Sequence, residues 1–166
     1  MTNLEIRNFA YDTIAEYLFE NHEDFGRMVY DAVRQGGTIE HAVESFLIEN
    51  YAEVGCVRKA LWDIAMQWDG LTDERLKIFA WSCDIVVDTI GVEHLFNIEE
   101  ICEFTNIRDN YTLGFITIEE CANKIADKVC KCMRVPSIHT IDQVLEMVGL
   151  PRFHECVDMR TIYLTR

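Results

Sequence analysis

Residues 72–91 read TDERLKIFAWSCDIVVDTIG. Leu76, Phe79, Cys83, Val86, Val87 and Ile90 recur three or four positions apart. That is the spacing of one helical face, not the alternation of a strand. Thr72 stands where a helix N-cap is favoured, and Gly91 stands where the chain leaves the helix. One long helix follows from this stretch alone, apolar on one side and carrying Asp73, Asp84 and Asp88 on the other, with Lys77 interrupting the acids.

The same pattern extends outward in both directions. Pro136 and Pro151 are the only prolines, so residues 1–135 lack the strongest helix breaker. Apolar spacing predicts helices over 3–20, 23–35, 38–53 and 56–68. Gly36-Gly37 closes the second, Thr38 caps the third and Gly70 breaks the fourth. Leu4, Ile6, Ala10, Tyr11, Ile14, Tyr17 and Leu18 form the inward set of the first helix. Phe25, Met28, Val29, Ala32 and Val33 do so on the second, and Ile39, Val43, Phe46 and Leu47 on the third. Val57, Leu61, Ile64 and Ala65 are expected inward on the fourth.

Asn97 with Glu100, and Thr117 with Glu120, spell capping boxes. They predict a short sixth helix and a seventh over 118–134. An eighth runs from Thr140 to Val148, closed by Gly149 and Pro151. Tyr111 to Thr117 (YTLGFIT) and Thr161 to Thr165 (TIYLT) are rich in β-branched and aromatic residues. They are expected to be extended and to pair as a minor two-stranded ribbon. The expected fold is all-α, a compact single domain over residues 1–166 with about eight helices.

Charge is unevenly spread. The chain of 166 residues carries a formal net charge of −14 with 49% hydrophobic residues. Residues 1–120 hold 8 Lys/Arg and 24 Asp/Glu, a net of −16, whereas residues 121–166 hold 7 and 5, a net of +2. So large an acid excess repels phosphate and argues against direct contact with nucleic acid or an anionic membrane. It favours a partner with a basic surface. No run of apolar residues is long enough to span a bilayer. The opening MTNLEIRNFAYDTIAEYLFE lacks the basic start and unbroken apolar core of a signal peptide. Seven cysteines, an odd number, mostly fall inside apolar helical patterns. Reduced thiols and a cytoplasmic location are expected.

The motifs of common chemistry are missing. The eight glycines form neither GxGxxG nor GxxxxGK[ST]. No histidine follows a Glu by three, and HExxH does not occur. His41 and Glu44 share a helix face at i, i+3, and Cys130, Cys132, His139 and Cys156 match no standard zinc spacing. No metal, cofactor or catalytic residue is assigned, and an enzyme is not expected.

The acidic faces are the remaining signal. Glu5, Asp12, Glu16 and Glu20 project within roughly 120° to 200° on the first helix, opposite its apolar side. Only Arg7 stands against them, and Asp12/Glu16 and Glu16/Glu20 are like-charge i, i+4 pairs that cost helix stability. Phe9 projects into this stripe and Trp81 into that of the fifth helix, as aromatic anchors do at protein interfaces. Four acids over about 22 Å is one charge per roughly 6 Å, against about 3.4 Å per strand in DNA, so adjacent acidic helices would be needed to match it. Glu5, Phe9, Asp12, Glu16, Glu20, Trp81, Asp84 and Asp88 are the candidate partner-binding residues. Lys124, Lys128, Lys131 and Arg134, on the outer face of the seventh helix, are candidates for docking onto acid in a second copy.

Two resemblances accompany these patterns. Gln143 to Val157 (QVLEMVGLPRFHECV) resembles the opening of a SAM domain, where a helix ends in a Gly-Leu turn before an aromatic residue. It spans 143–157, and the nine residues that follow leave no room for that domain's other helices. In size, acidity and helical character the chain is similar to phage-encoded DNA-mimic inhibitors of restriction or CRISPR enzymes. That likeness implies an inhibitor occupying a basic nucleic-acid channel. The alternatives are a helical adaptor or scaffold whose acidity serves solubility, and an enzyme with an unrecognised site.

Overall fold

The computed structural model describes residues 1–67, 72–134 and 136–157. Among them stand nine α-helices, one short 3-10 turn at Val92–His94 and no strand. The fold is all-α, as the periodicity requires. Contacts divide the chain into two compact units, Met1–Leu95 and Phe96–Arg166. The charge shift at residue 120 does not coincide with that division. The first unit holds 7 Lys/Arg against 18 Asp/Glu, a net of −11, and the second 8 against 11, a net of −3.

The first unit contains α1 (Asn3–Asn21), α2 (Glu23–Arg34), α3 (Ile39–Glu49), α4 (Arg58–Met66) and α5 (Asp73–Ile90). Hydroxyl caps start three of them. Thr2, Thr38 and Thr72 accept from the backbone N–H three residues on, satisfying an otherwise orphaned donor. α1 packs on the other four helices, most extensively on α5. Ala10 and Ser82 are fully buried where these two helices meet. The Ser82 hydroxyl donates to Ile78 O at 2.7 Å within its own helix, and Ala10 O lies 3.4 Å from the same oxygen. Two small side chains thus let the backbones come close.

The inward sets differ from expectation at instructive places. Leu4 is 65% exposed, whereas Tyr11 and Ala15, at nearly the same angle on the helix, are buried. They lie two and three turns further along, and a helical projection discards that axial coordinate. On α2 only Phe25 is buried, and Val33 is exposed. Ile39 is also exposed, and α3 ends at Glu49 rather than 53. There the Asn50 side chain donates to Phe46 O at 3.0 Å. On α5, Ile78 and Ser82 are buried while Leu76 and Ile90 are only half-buried. Gly91 has φ 107°, and Gly70 lies outside the described residues.

After α5 the chain is latched back. Val57 N–H donates to His94 O at 2.9 Å, and the His94 ring Nδ1 bonds Val54 O at 2.7 Å. A carbonyl only accepts, so Nδ1 carries the proton.

The second unit contains α6 (Ile98–Thr112), α7 (Ile118–Cys132), α8 (Ile138–Met147) and α9 (Phe153–Cys156). Both capping boxes form. α6 packs on α7, and α7 on α8 and α9. Phe104, Ile125 and Leu145 are fully buried at the centre. Arg108 Nη1 donates to Val148 O at 2.8 Å, capping the end of α8, and Asp142 accepts from Phe153 N at 2.8 Å.

The extended reading of YTLGFIT is corrected. Tyr111 and Thr112 are the last residues of α6, and the turn is confined to Leu113–Ile116. A helix already nucleated at Asn97 extends at little cost, and it stops only at Gly114, whose φ is 83°. The sixth helix is therefore not short, and the described residues hold no ribbon. Thr161–Thr165 lies outside them.

The α1–α5 crossing is directly testable. Ser82→Leu is expected to cost about 1–3 kcal/mol or more by overpacking, whereas Ser82→Ala should cost under about 1 kcal/mol because the lost bond is local. Urea unfolding followed by circular dichroism measures both.

Candidate acidic binding faces

The eight residues singled out on α1 and α5 do not converge on one surface. Trp81, Asp84 and Asp88 line a cleft of about 610 Å³ together with Arg7, Tyr11, Glu44, Ile48, Ile85 and Thr89. Phe9, Asp12 and Glu16 line a separate groove of about 410 Å³ with Thr13, Ile64 and Arg75. Glu5 and Glu20 line neither and are exposed on α1. On α1, Arg7 and Tyr11 point roughly 150° away from the acid stripe, so the helix itself separates the two sites. The acids of α5 consequently do not add to the charge density of the α1 stripe.

The α5 cleft has an internally paired wall. Arg7 donates to both Glu40 oxygens, one bond measuring 2.9 Å, and its guanidinium lies 5.0 Å from the Tyr11 ring centroid. Tyr11 OH donates to Glu44 at 2.6 Å. Arg7/Tyr11 on α1 and Glu40/Glu44 on α3 are both i, i+4 pairs, so two bonds register one helix against the other. The hydrogen bond to Glu40 holds the Arg7 pKa above its ordinary value. Burial, then the Glu44 hydrogen bond, pushes the Tyr11 phenol well above the usual range. These residues of the cleft were not singled out in the sequence. The two matching i, i+4 pairs were the available signal, but 29 acids offer many such matches.

The α1 stripe is different in kind. Asp12, Glu16 and Glu20 form no ion pair among the described residues. Partial burial raises the Asp12 pKa. Arg7, the only cation of α1, is turned away from the stripe and committed to Glu40. Phe9 and Phe19 are 44% and 50% exposed on the same outer side.

In the second unit, Lys124, Lys131 and Arg134 are exposed on and just beyond α7. Lys128 pairs with Glu103 of α6, which raises its pKa. Lys128, expected to serve self-association, therefore serves an internal contact.

Other chemistry is sparse. Asp31, His41 and Ser45 line one groove of about 380 Å³, but their side chains make no hydrogen bond to one another. Among the described residues no group of three or more His, Cys, Asp and Glu is placed to hold a metal ion. No helix among them is long and apolar enough to cross a membrane. All seven cysteines are thiols. Burial raises the pKa of Cys83, Cys121 and Cys156. Comparison with protein-family models, characterised proteins and solved structures finds no match.

Two measurements follow. A phenol whose folded pKa is raised contributes stability below its unfolded pKa of about 10 and loses it as pH rises further. Tyr11→Phe should therefore cost about 1 kcal/mol near neutral pH, and the gap to the parent should narrow above about pH 10. Urea midpoints across pH read this out, and a constant gap would count against it. In a thiol titration with a chromogenic disulfide, exposed Cys56, Cys102 and Cys130 should react fast and half-buried Cys132 more slowly. Buried Cys83, Cys121 and Cys156 should react only on unfolding.

Proposed function

We propose that this is a binding protein, an inhibitor whose acidic first unit occupies the basic, nucleic-acid-binding surface of a partner protein. The observation that carries this reading is the α1 stripe. Asp12, Glu16 and Glu20 stand together without ion pairs, while the one cation on their helix faces elsewhere. Like charges four residues apart cost helix stability. They persist here without an ion pair of their own, with Arg75 the one cation lining the groove beside Asp12 and Glu16, and so are open to an external cation. The concentration of net charge, −11 in the first 95 residues, supports the same reading through long-range attraction of a basic partner. The density of one acid per roughly 6 Å makes α1 a partial, not a strand-level, substitute for a phosphate backbone.

A second reading, a helical adaptor in which acidity only aids solubility, draws on the other unit. Ile98, Leu113, Phe115 and Ile138 are all strongly exposed there, and exposed apolar residues mark a protein contact where they form a contiguous patch.

The protein immobilised on a resin separates the two. On the inhibitor reading, nucleic-acid-binding proteins from cell extract are retained, elute below about 0.5 M salt and are displaced by duplex DNA. The variant Asp12→Lys/Glu16→Lys/Glu20→Lys should lose that retention while its helical circular dichroism is unchanged. Retention that survives about 0.5 M salt and ignores the triple variant would transfer the function to the apolar residues of the second unit.

A further inference from the structure

We infer that the outer face of α1 is the docking site for a basic amphipathic α-helix, one with an apolar ridge flanked by lysines or arginines. This rests on the acidic-partner reading and narrows it, because a surface meant only to imitate phosphate needs no exposed rings. Phe9 and Phe19 are each about half-exposed. Ten residues separate them, or about 15 Å along the helix axis. Asp12 and Glu16 project between the two rings, and Glu5 and Glu20 lie toward the two ends of the helix. Two apolar anchors with carboxylates between and beyond them match the apolar ridge and cationic flanks of a helix about three turns long.

The groove beside this face has the right form. Its α1 side consists of Phe9, Asp12, Thr13 and Glu16, spaced i, i+3, i+4 and i+7, with Ile64 and Arg75 opposite. Residues at that spacing form the ridge that interdigitates with a second helix. Arg75 places one cation in the groove, so the acid of α1, not of the opposite wall, provides the attraction. The α5 cleft is less suited to the same ligand, because neither ring on its lining is exposed, Tyr11 being buried and Trp81 half-buried, and the Glu44 carboxylate already accepts from Tyr11.

A second copy of this chain is a poor occupant. Each copy brings a net charge of −14, and the cationic face of α7 has Lys128 tied to Glu103. Self-repulsion at the scale of the whole molecule opposes the local match.

The test uses two fluorescent peptides of about 15 residues, both composed only of leucine and lysine. One places leucines at helical spacing and the other scrambles them. Anisotropy titrations of the 166-residue protein near physiological salt are expected to show the helical peptide binding at least about tenfold tighter than the scrambled one. Phe9→Ser/Phe19→Ser should remove about tenfold of that affinity and leave the scrambled peptide unaffected. Phe19 meets the Phe25 ring at a centroid distance of 4.8 Å, so Phe9→Ser alone, with the same sign and a smaller effect, guards against a folding defect. Asp12→Asn/Glu16→Gln should weaken both peptides, and Trp81→Ala should weaken neither. Equal binding of the two peptides would overturn the helix-docking inference while leaving the acidic-partner reading standing. Loss of binding in Trp81→Ala would move the site to the α5 cleft and overturn it too. If neither peptide binds, the acidic-partner reading itself falls.

Discussion

The close crossing of α1 and α5 is the constraint on which the first unit depends. Ala10 and Ser82 are small enough to bring the two helices together, and Ser82 keeps its proton bonded within its own helix. A buried hydroxyl satisfied locally costs little. Once the crossing is set, the rotation of α1 is fixed by the two bonds to α3, from Arg7 to Glu40 and from Tyr11 to Glu44. Which residues of α1 face solvent is a consequence of that rotation. Its buried arc runs from Thr13 around to Ala15, and the acids and the two phenylalanines lie in the arc left outside, beside exposed Leu4 and Asn8.

The same arrangement explains why charge of one sign stays local. Four cations are drawn into internal roles. Arg7 ties α1 to α3, Arg58 donates to Leu95 O at 3.0 Å, Arg108 caps α8 and Lys128 ties α6 to α7. With structural positions taking cations, the exposed acids of α1 are left facing solvent. Ion pairs on the surface contribute little stability, so folding places no strong demand on these acids and leaves their pattern open to a binding role.

The capping signals were the most legible part of the sequence. Thr38, Thr72, Asn97 and Thr117 all cap where their side-chain chemistry places them, because a cap is a local bond between residues three apart. The YTLGFIT segment departs from its sequence pattern for the opposite reason. Its β-branched and aromatic residues carry weak strand preferences, and the helix growing from Asn97 overrides them. Likewise the candidate site was legible as residue types, acids with Phe9 and Trp81 among them, but its division into two was not.

The sequence by itself determined the all-α class, most helix starts, the acid excess and the absence of nucleotide-binding and metal-binding motifs. These depend on spacing within one helix or on composition, and both survive in one dimension. Only the tertiary structure decided which way each helix faces along its length, so that Leu4 is exposed while Tyr11 is buried at a similar angle. It also decided that Trp81, Asp84 and Asp88 share a cleft with Tyr11 and Glu44 rather than with Asp12 and Glu16. The physical reason is that helix–helix crossings are set by side-chain size at a few contact points distant in sequence. A face that looks continuous on a helical projection can then be cut by the helix that packs beside it.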